Sequence, residues 1–173
     1  MAAKGGTWRK LHLAVDPDTG EILASELTTT ADGDASLVGP LLSQISGPIA
    51  SVTADGAYDG APVYRTIAER DPAAEVIIPP RSTAVPSDTA ETAPTQRDRH
   101  LQMIQERGRR GWQKAVNYGR RSLGEVAMMR YKTVIGRCLH ARTLPTQKTE
   151  AAASCKVINI MTRLGMPVSQ RIA

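Results

Sequence analysis

An α/β fold, a mixed sheet flanked by helices, is what this sequence predicts, and three observations predict it. Short stretches with apolar residues at period two alternate with longer stretches at three-four spacing through residues 7–80, which is the pattern of strands alternating with helices. The 173 residues, 41% of them apolar, are enough for one hydrophobic core and hardly enough for two. Charge is divided unevenly: residues 1–96 carry 6 Lys and Arg against 13 Asp and Glu, residues 97–173 carry 16 against 4, so halves of −7 and +12 make up the net +5. The expected organisation is therefore a single domain, 1–173, with a sheet portion at 7–80, a loop at 81–96 and a basic helical portion at 97–173. Phe is absent and aromatics are 3%, so the core must be built from Leu, Ile, Val, Ala and Met.

In chain order, Met1 to Gly6 reads as an untethered start. Trp8 to Val15 follows with Leu11, Leu13 and Val15 on one face, a strand. Asp16-Pro17-Asp18-Thr19-Gly20 supplies turn residues and Glu21 to Thr29 alternates again, which completes a hairpin. Asp34 is a candidate cap for a helix carrying Leu37, Val38, Leu41, Leu42 and Ile45, although Pro40 moves its start toward Val38. Gly47-Pro48 ends that helix, and Ile49 to Ala54 forms a short buried strand that finishes on Asp55-Gly56. Asp59 is a candidate cap for a helix through Tyr64 and Ile67 to about Arg70, and Glu75 to Ile78 is a strand closed by Pro79-Pro80.

Arg81 to Thr95, rich in Pro, Ser, Thr and Ala, reads as a loop. Arg97 to Gly108 is helical, with Gly108 and Gly111 as interruptions, and Trp112 to His140 carries a second helix. Pro145 is a break before a last amphipathic helix, Thr146 to Leu164, stopped by Gly165 and Pro167.

Composition also limits the function classes. No apolar run approaches the ~20 residues that span a bilayer, and no signal peptide precedes Trp8, so a cytoplasmic protein without a membrane partner is expected. Cys138 and Cys155 lack metal-ligand spacing and read as thiols; His12, His100 and His140 are scattered and suggest no zinc site. Between Arg97 and Arg142 there are 12 cations and 3 acids, the electrostatic footprint of a surface that meets phosphate backbones.

Within that basic run, one carboxylate sits among cations. Tyr118, Arg121, Glu125 and Lys132 are spaced so that a 3.6-residue helix places Arg121 and Glu125 one turn apart and returns Lys132 to the same stripe. The plain alternative is a solvated helix with an i, i+4 ion pair worth roughly 0.3–0.5 kcal/mol. The other acid in a distinctive place is Asp55, at the end of a strand, where ligands of α/β proteins gather.

The Y-x2-R-x3-E-x6-K spacing resembles the signature of bacterial insertion-sequence transposases of the DDE type, and the chain as a whole looks most like the insertion-sequence family numbered five. The Trp8 to Asp16 hairpin, the Ala54 to Asp59 segment, the Tyr118 to Lys132 signature, Ala141 to Leu144 and Thr149 to Ala151 carry the likeness. The resemblance implies a ribonuclease-H-like sheet and two Mg²⁺ ions, replaceable by Mn²⁺, held by Asp, Asp and Glu. Of these ligands Asp55 and Glu125 are the metal-binding and catalytic acids present here. It further implies that Arg121 and Lys132 hold DNA phosphates and that Tyr118 adds a hydrogen bond or stacks on a base; the helix pattern by itself leaves Arg120, Arg130 and Arg137 facing water or phosphate. Trp112 either stacks on a splayed base or simply packs. The partners implied are double-stranded DNA at transposon ends and target DNA, with a homodimer in the complete enzyme and a nucleoid-associated location.

The family's first aspartate lies on a strand ahead of the Trp8 strand, so the expectation is a sheet lacking its first strand. Asp16 and Asp18 are read as turn chemistry and Asp59 as a helix cap rather than as substitutes. Three readings follow: an insertion-sequence transposase portion that is inactive alone, a DNA-binding remnant or inhibitor of transposition without chemistry, and a different ribonuclease-H-like nuclease.

Overall fold

A computed structural model describes residues 8–165; the expected untethered start and Pro167 lie outside the described residues. The hairpin forms as its alternation requires. β1 (Arg9–Val15) pairs antiparallel with β2 (Ile22–Thr29) from Arg9↔Thr29 to Val15↔Ile22, with a register shift at Ala14/Val15. The turn is closed by the Asp16 carboxylate, which accepts the Asp18 N–H at 2.8 Å, and by Gly20 at φ 73°, where a side chain would be strained.

One face of the hairpin carries Leu11, Leu13, Val15 and Ile22. It packs against Ala127 and Tyr131 of α4 (Ser122–Val134) and Cys155 and Ile158 of α5 (Leu144–Leu164). Asn159 clamps α5 to β2 by accepting the Ile22 N–H and donating to the Ile22 carbonyl, both at 2.8 Å. The other face, through Ala14 and Ala24, meets Leu37 and Leu41 beside α1 (Val38–Leu42).

The second core forms around β3 (Ser51–Thr53) and β4 (Glu75–Ile77), which are parallel and joined by α2 (Ala61–Arg70). Val38, Leu42, Val63, Ile67, Val76 and Ile78 fill it. The one mixed sheet expected from the sequence is instead two strand pairs, β1-β2 and β3-β4, among the described residues. Ile45, at the end of the α1 segment, packs against both cores, so a shared helix joins the pairs where a ladder was expected.

Local expectations are corrected at several termini. Asp34 does not cap a helix; it opens a 3-10 turn (Asp34–Leu37) and pairs with Lys10 at 3.1 Å, and the α-helix begins at Val38 ahead of Pro40. Asp59 does not cap α2, whose cap position is Gly60; its carboxylate is drawn to Arg97, at 2.7 and 3.1 Å, and to the Arg81 N–H at 2.9 Å. Pro145 starts α5 rather than preceding it, since a first-turn proline forfeits no helical hydrogen bond, and Thr143 caps it.

α3 spans Gln96 to Ala115 but is broken by a kink at Gly108 (φ 69°), the interruption expected there, whereas Gly111 does not interrupt it. Thr95 and Asp98 close its N-terminus as a capping box. Asp98 also accepts from the Ser87 N–H and Oγ at 2.8 Å, which ties the 81–95 loop down.

The buried acids have a consequence for pH. Burial alone would raise the Asp59 carboxyl, but Arg97 and the Arg81 N–H outweigh it and hold it below the ordinary value; at Asp98 burial is likewise outweighed by Thr95 and Ser87. A carboxyl depressed in the folded state contributes stability that is fully present above the unfolded pKa of about 3.9 and lost as pH falls through the folded value. Urea midpoints from these two groups are therefore expected to be flat between about pH 7 and 5 and to fall below about pH 4. Asp98→Asn should be less stable at pH 7 yet show a shallower acid slope; an unchanged slope would count against this assignment.

Candidate active site

The site gathers at the end of β3, where the chain leaves the core and turns. Asp55, two residues beyond the end of β3, caps a 3-10 turn (Gly56–Tyr58), its Oδ1 accepting the Ala57 N–H at 2.8 Å. Oδ2 takes no part in that bond. Arg81 reinforces the turn by donating to the carbonyls of Gly56 (3.4 Å) and Ala57 (3.1 Å). Gly56 itself passes close to the polyproline stretch, since a Cβ there would stand 3.3 Å from the Pro79 carbonyl oxygen.

Opposite lies the segment that carries Tyr118 to Lys132, and it is not one helix. Asn117 sits in the left-handed region at φ 51°, a conformation asparagine tolerates; Tyr118–Arg121 is a 3-10 turn, and α4 starts at Ser122 and ends at Val134, short of His140. Arg121, at the N-cap of α4, nevertheless meets Glu125 one turn on, Nη1 to Oε1 2.8 Å, as the i, i+4 spacing dictates. Its other nitrogen, Nη2, lies 3.8 Å from Asp55 Oδ2. One guanidinium thus stands between two carboxylates that lie 70 positions apart in the sequence yet share a single counter-cation.

The remaining candidates divide. Lys132 lines an open groove of about 500 Å³ together with Glu125, Met128 and Arg137. Tyr118 lines a second groove, about 630 Å³, with Arg110 and Lys114. Burial pushes the Tyr118 hydroxyl up, with Arg121 opposing and Asp55 and Glu125 assisting, so it remains a hydrogen-bond donor at neutral pH. Arg120 is engaged by Asp18 of the hairpin turn, and Arg130 donates to Thr162 Oγ1 of α5 at 2.6 Å, so both already hold protein partners.

Of the two roles open to Trp112, the structure shows packing rather than base stacking: it is 0% exposed. Its indole N–H donates to His100 Nδ1 at 2.9 Å, and His100 Nε2 in turn donates to the Val76 carbonyl at 2.7 Å, while the indole ring packs on Tyr118 at 5.3 Å. An indole can only donate, which assigns the proton of His100 to Nε2. The relay fixes α3 to β4, the neighbour of β3, and so sets the floor on which the Tyr118–Arg121 turn rests. Sequence reasoning overlooked His100, Arg81 and Arg97; their roles depend on partners more than ten residues away, and no local spacing marks them.

Asp55 and Glu125 present hard oxygen donors with side chains 44% and 64% exposed, a set that suits a divalent cation completed by water and phosphate oxygens. Among the described residues no group of three or more His, Cys, Asp or Glu converges. The chain matches the transposase DDE domain over residues 2–160. It belongs to that family. Transposition by DNA cleavage and strand transfer, generally with divalent metal ions, is the chemistry of the family. No solved structure matches the chain. In this transposase domain no helix among the described residues is long and apolar enough to cross a membrane.

Proposed function

We propose that this chain is the catalytic domain of an insertion-sequence transposase of the family numbered five, with a ribonuclease-H-like architecture, in which Asp55 and Glu125 hold Mg²⁺ or Mn²⁺. The observation that carries the reading is the meeting of Asp55, Arg121 and Glu125 at the end of β3, from positions far apart in sequence. The metal ions, when bound, would polarise a phosphodiester and activate the attacking oxygen. The chain's own residues position charge: the two carboxylates are partly exposed, and Lys132, Arg137, Arg110 and Lys114 line the two grooves where DNA phosphates would run. Tyr118 offers a hydroxyl donor in the second of these grooves.

Two further elements belong to this reading. β1 and β3 each have one strand neighbour among the described residues, so each leaves an edge free for a further strand, which would bring the third acid. The partners would be transposon ends and target DNA, bound by a homodimer of the complete enzyme close to the nucleoid. A second reading, a protein that holds DNA without cleaving it, is favoured by one observation: among the described residues two acids rather than three converge, and an arginine lies between them.

Cleavage separates the readings. A duplex carrying the element's ends is expected to be nicked in Mg²⁺ by the wild-type protein, supplied with the third acid if it is inert alone, and not by Asp55→Asn, while both bind the duplex with the same salt dependence. Equal cleavage by Asp55→Asn would sink the proposal. Absence of metal-dependent cleavage by every form, with binding intact, would leave the DNA-holding protein.

A further inference from the structure

We infer that Arg121 is a tethered counter-cation for Asp55 and Glu125, occupying the gap between the carboxylates until a DNA phosphate draws it away and leaves their oxygens to a divalent ion. This rests on the reading of Asp55 and Glu125 as a metal-binding pair. The geometry that carries it is the split guanidinium, Nη1 at 2.8 Å from Glu125 Oε1 and Nη2 at 3.8 Å from Asp55 Oδ2. A cluster of two carboxylates with no cation would repel itself, and Arg121 neutralises one of the two charges.

The device is built to be reversible. Arg121 is the N-cap of α4, so its backbone is held by the helix while its side chain stays one-third exposed. The Asp55 contact is long for an ion pair, and the Glu125 pair is a solvent-exposed i, i+4 pair, so neither is hard to break. A planar guanidinium binds phosphate oxygens bidentately at least as well as it binds two separate carboxylates. The groove lined by Arg110, Lys114 and Tyr118 adjoins the same turn and would bring a phosphodiester within its reach. DNA binding and metal binding are then coupled, and by linkage the coupling is equal in both directions.

The test is a Mn²⁺ titration followed by the electron paramagnetic resonance of free Mn²⁺, with the whole chain, with and without a short DNA duplex, and with Asp55→Asn/Glu125→Gln as the background. Without DNA, Arg121→Gln is expected to bind Mn²⁺ roughly three- to tenfold more tightly than wild type, since a competing cation is gone. Duplex DNA should tighten Mn²⁺ binding by wild type by a similar factor and by Arg121→Gln far less. Arg121→Lys, which keeps one charge but cannot span both acids, should fall between, and it carries the test if Arg121→Gln fails to fold. Mn²⁺ binding that is unchanged or weakened in the Arg121 variants, yet lost in the double acid variant, would overturn the counter-cation and leave the metal pair standing. Equal Mn²⁺ binding by wild type and the double acid variant would overturn the metal pair, and this inference with it.

Discussion

Glu125→Ala is expected to lower metal-dependent DNA cleavage by about a thousandfold or more and to change duplex affinity by no more than about twofold. The size follows from the role proposed for the residue: a carboxylate holding a cation at the reacting phosphate could not be replaced by a methyl group or by water at the same fixed distance. Affinity should survive because the cations proposed to meet phosphate, Lys132, Arg137, Arg110 and Lys114, are not ion-paired with Glu125, whose partner among the described residues is Arg121. Removing an acid from a basic surface would, if anything, favour DNA slightly. Residues that act as one unit are not additive, so Asp55→Asn/Glu125→Ala should cleave no more slowly than either single variant. Multiplicative losses in the double variant would show that the two acids act at separate sites.

Trp112→Ala is expected to destabilise the fold by about 3–5 kcal/mol, the range for deleting a large aromatic side chain from a packed interior. Three losses combine. The fully buried indole leaves a cavity, His100 Nδ1 loses its only donor in a dry environment, and the Tyr118 ring loses the surface beneath it. Trp112→Phe should recover most of the packing while still losing the hydrogen bond, at a cost of about 1–3 kcal/mol. Far-ultraviolet circular dichroism in urea is the appropriate readout, because fluorescence would then report Trp8, which is 82% exposed. Near-wild-type stability of Trp112→Ala would mean that the indole is not the support described, and a preserved Tyr118–Arg121 turn would separate its packing role from its role beneath the site.

By itself the sequence determined what depends on near neighbours along the chain. The β1–β2 hairpin was legible because Leu11, Leu13 and Val15 alternate and Asp16 to Gly20 carries the turn, and the Arg121–Glu125 contact because four residues make one helical turn. The division of charge and the Tyr118 to Lys132 spacing were likewise local patterns, and the family match over residues 2–160 bears out the transposase reading at the level of the domain. Tertiary structure alone decided the rest. It turned Asp59 from a cap into the partner of Arg97, gave Arg120 to Asp18 and Arg130 to Thr162, buried Trp112 against His100, and divided the sheet into two pairs joined through α1. The physical reason is common to all of these. A hydrophobic stripe or a turn residue acts within a few positions of itself, whereas an ion, an indole N–H or a strand edge takes whichever partner the finished packing brings within about 3 Å, and that partner has no fixed distance along the chain.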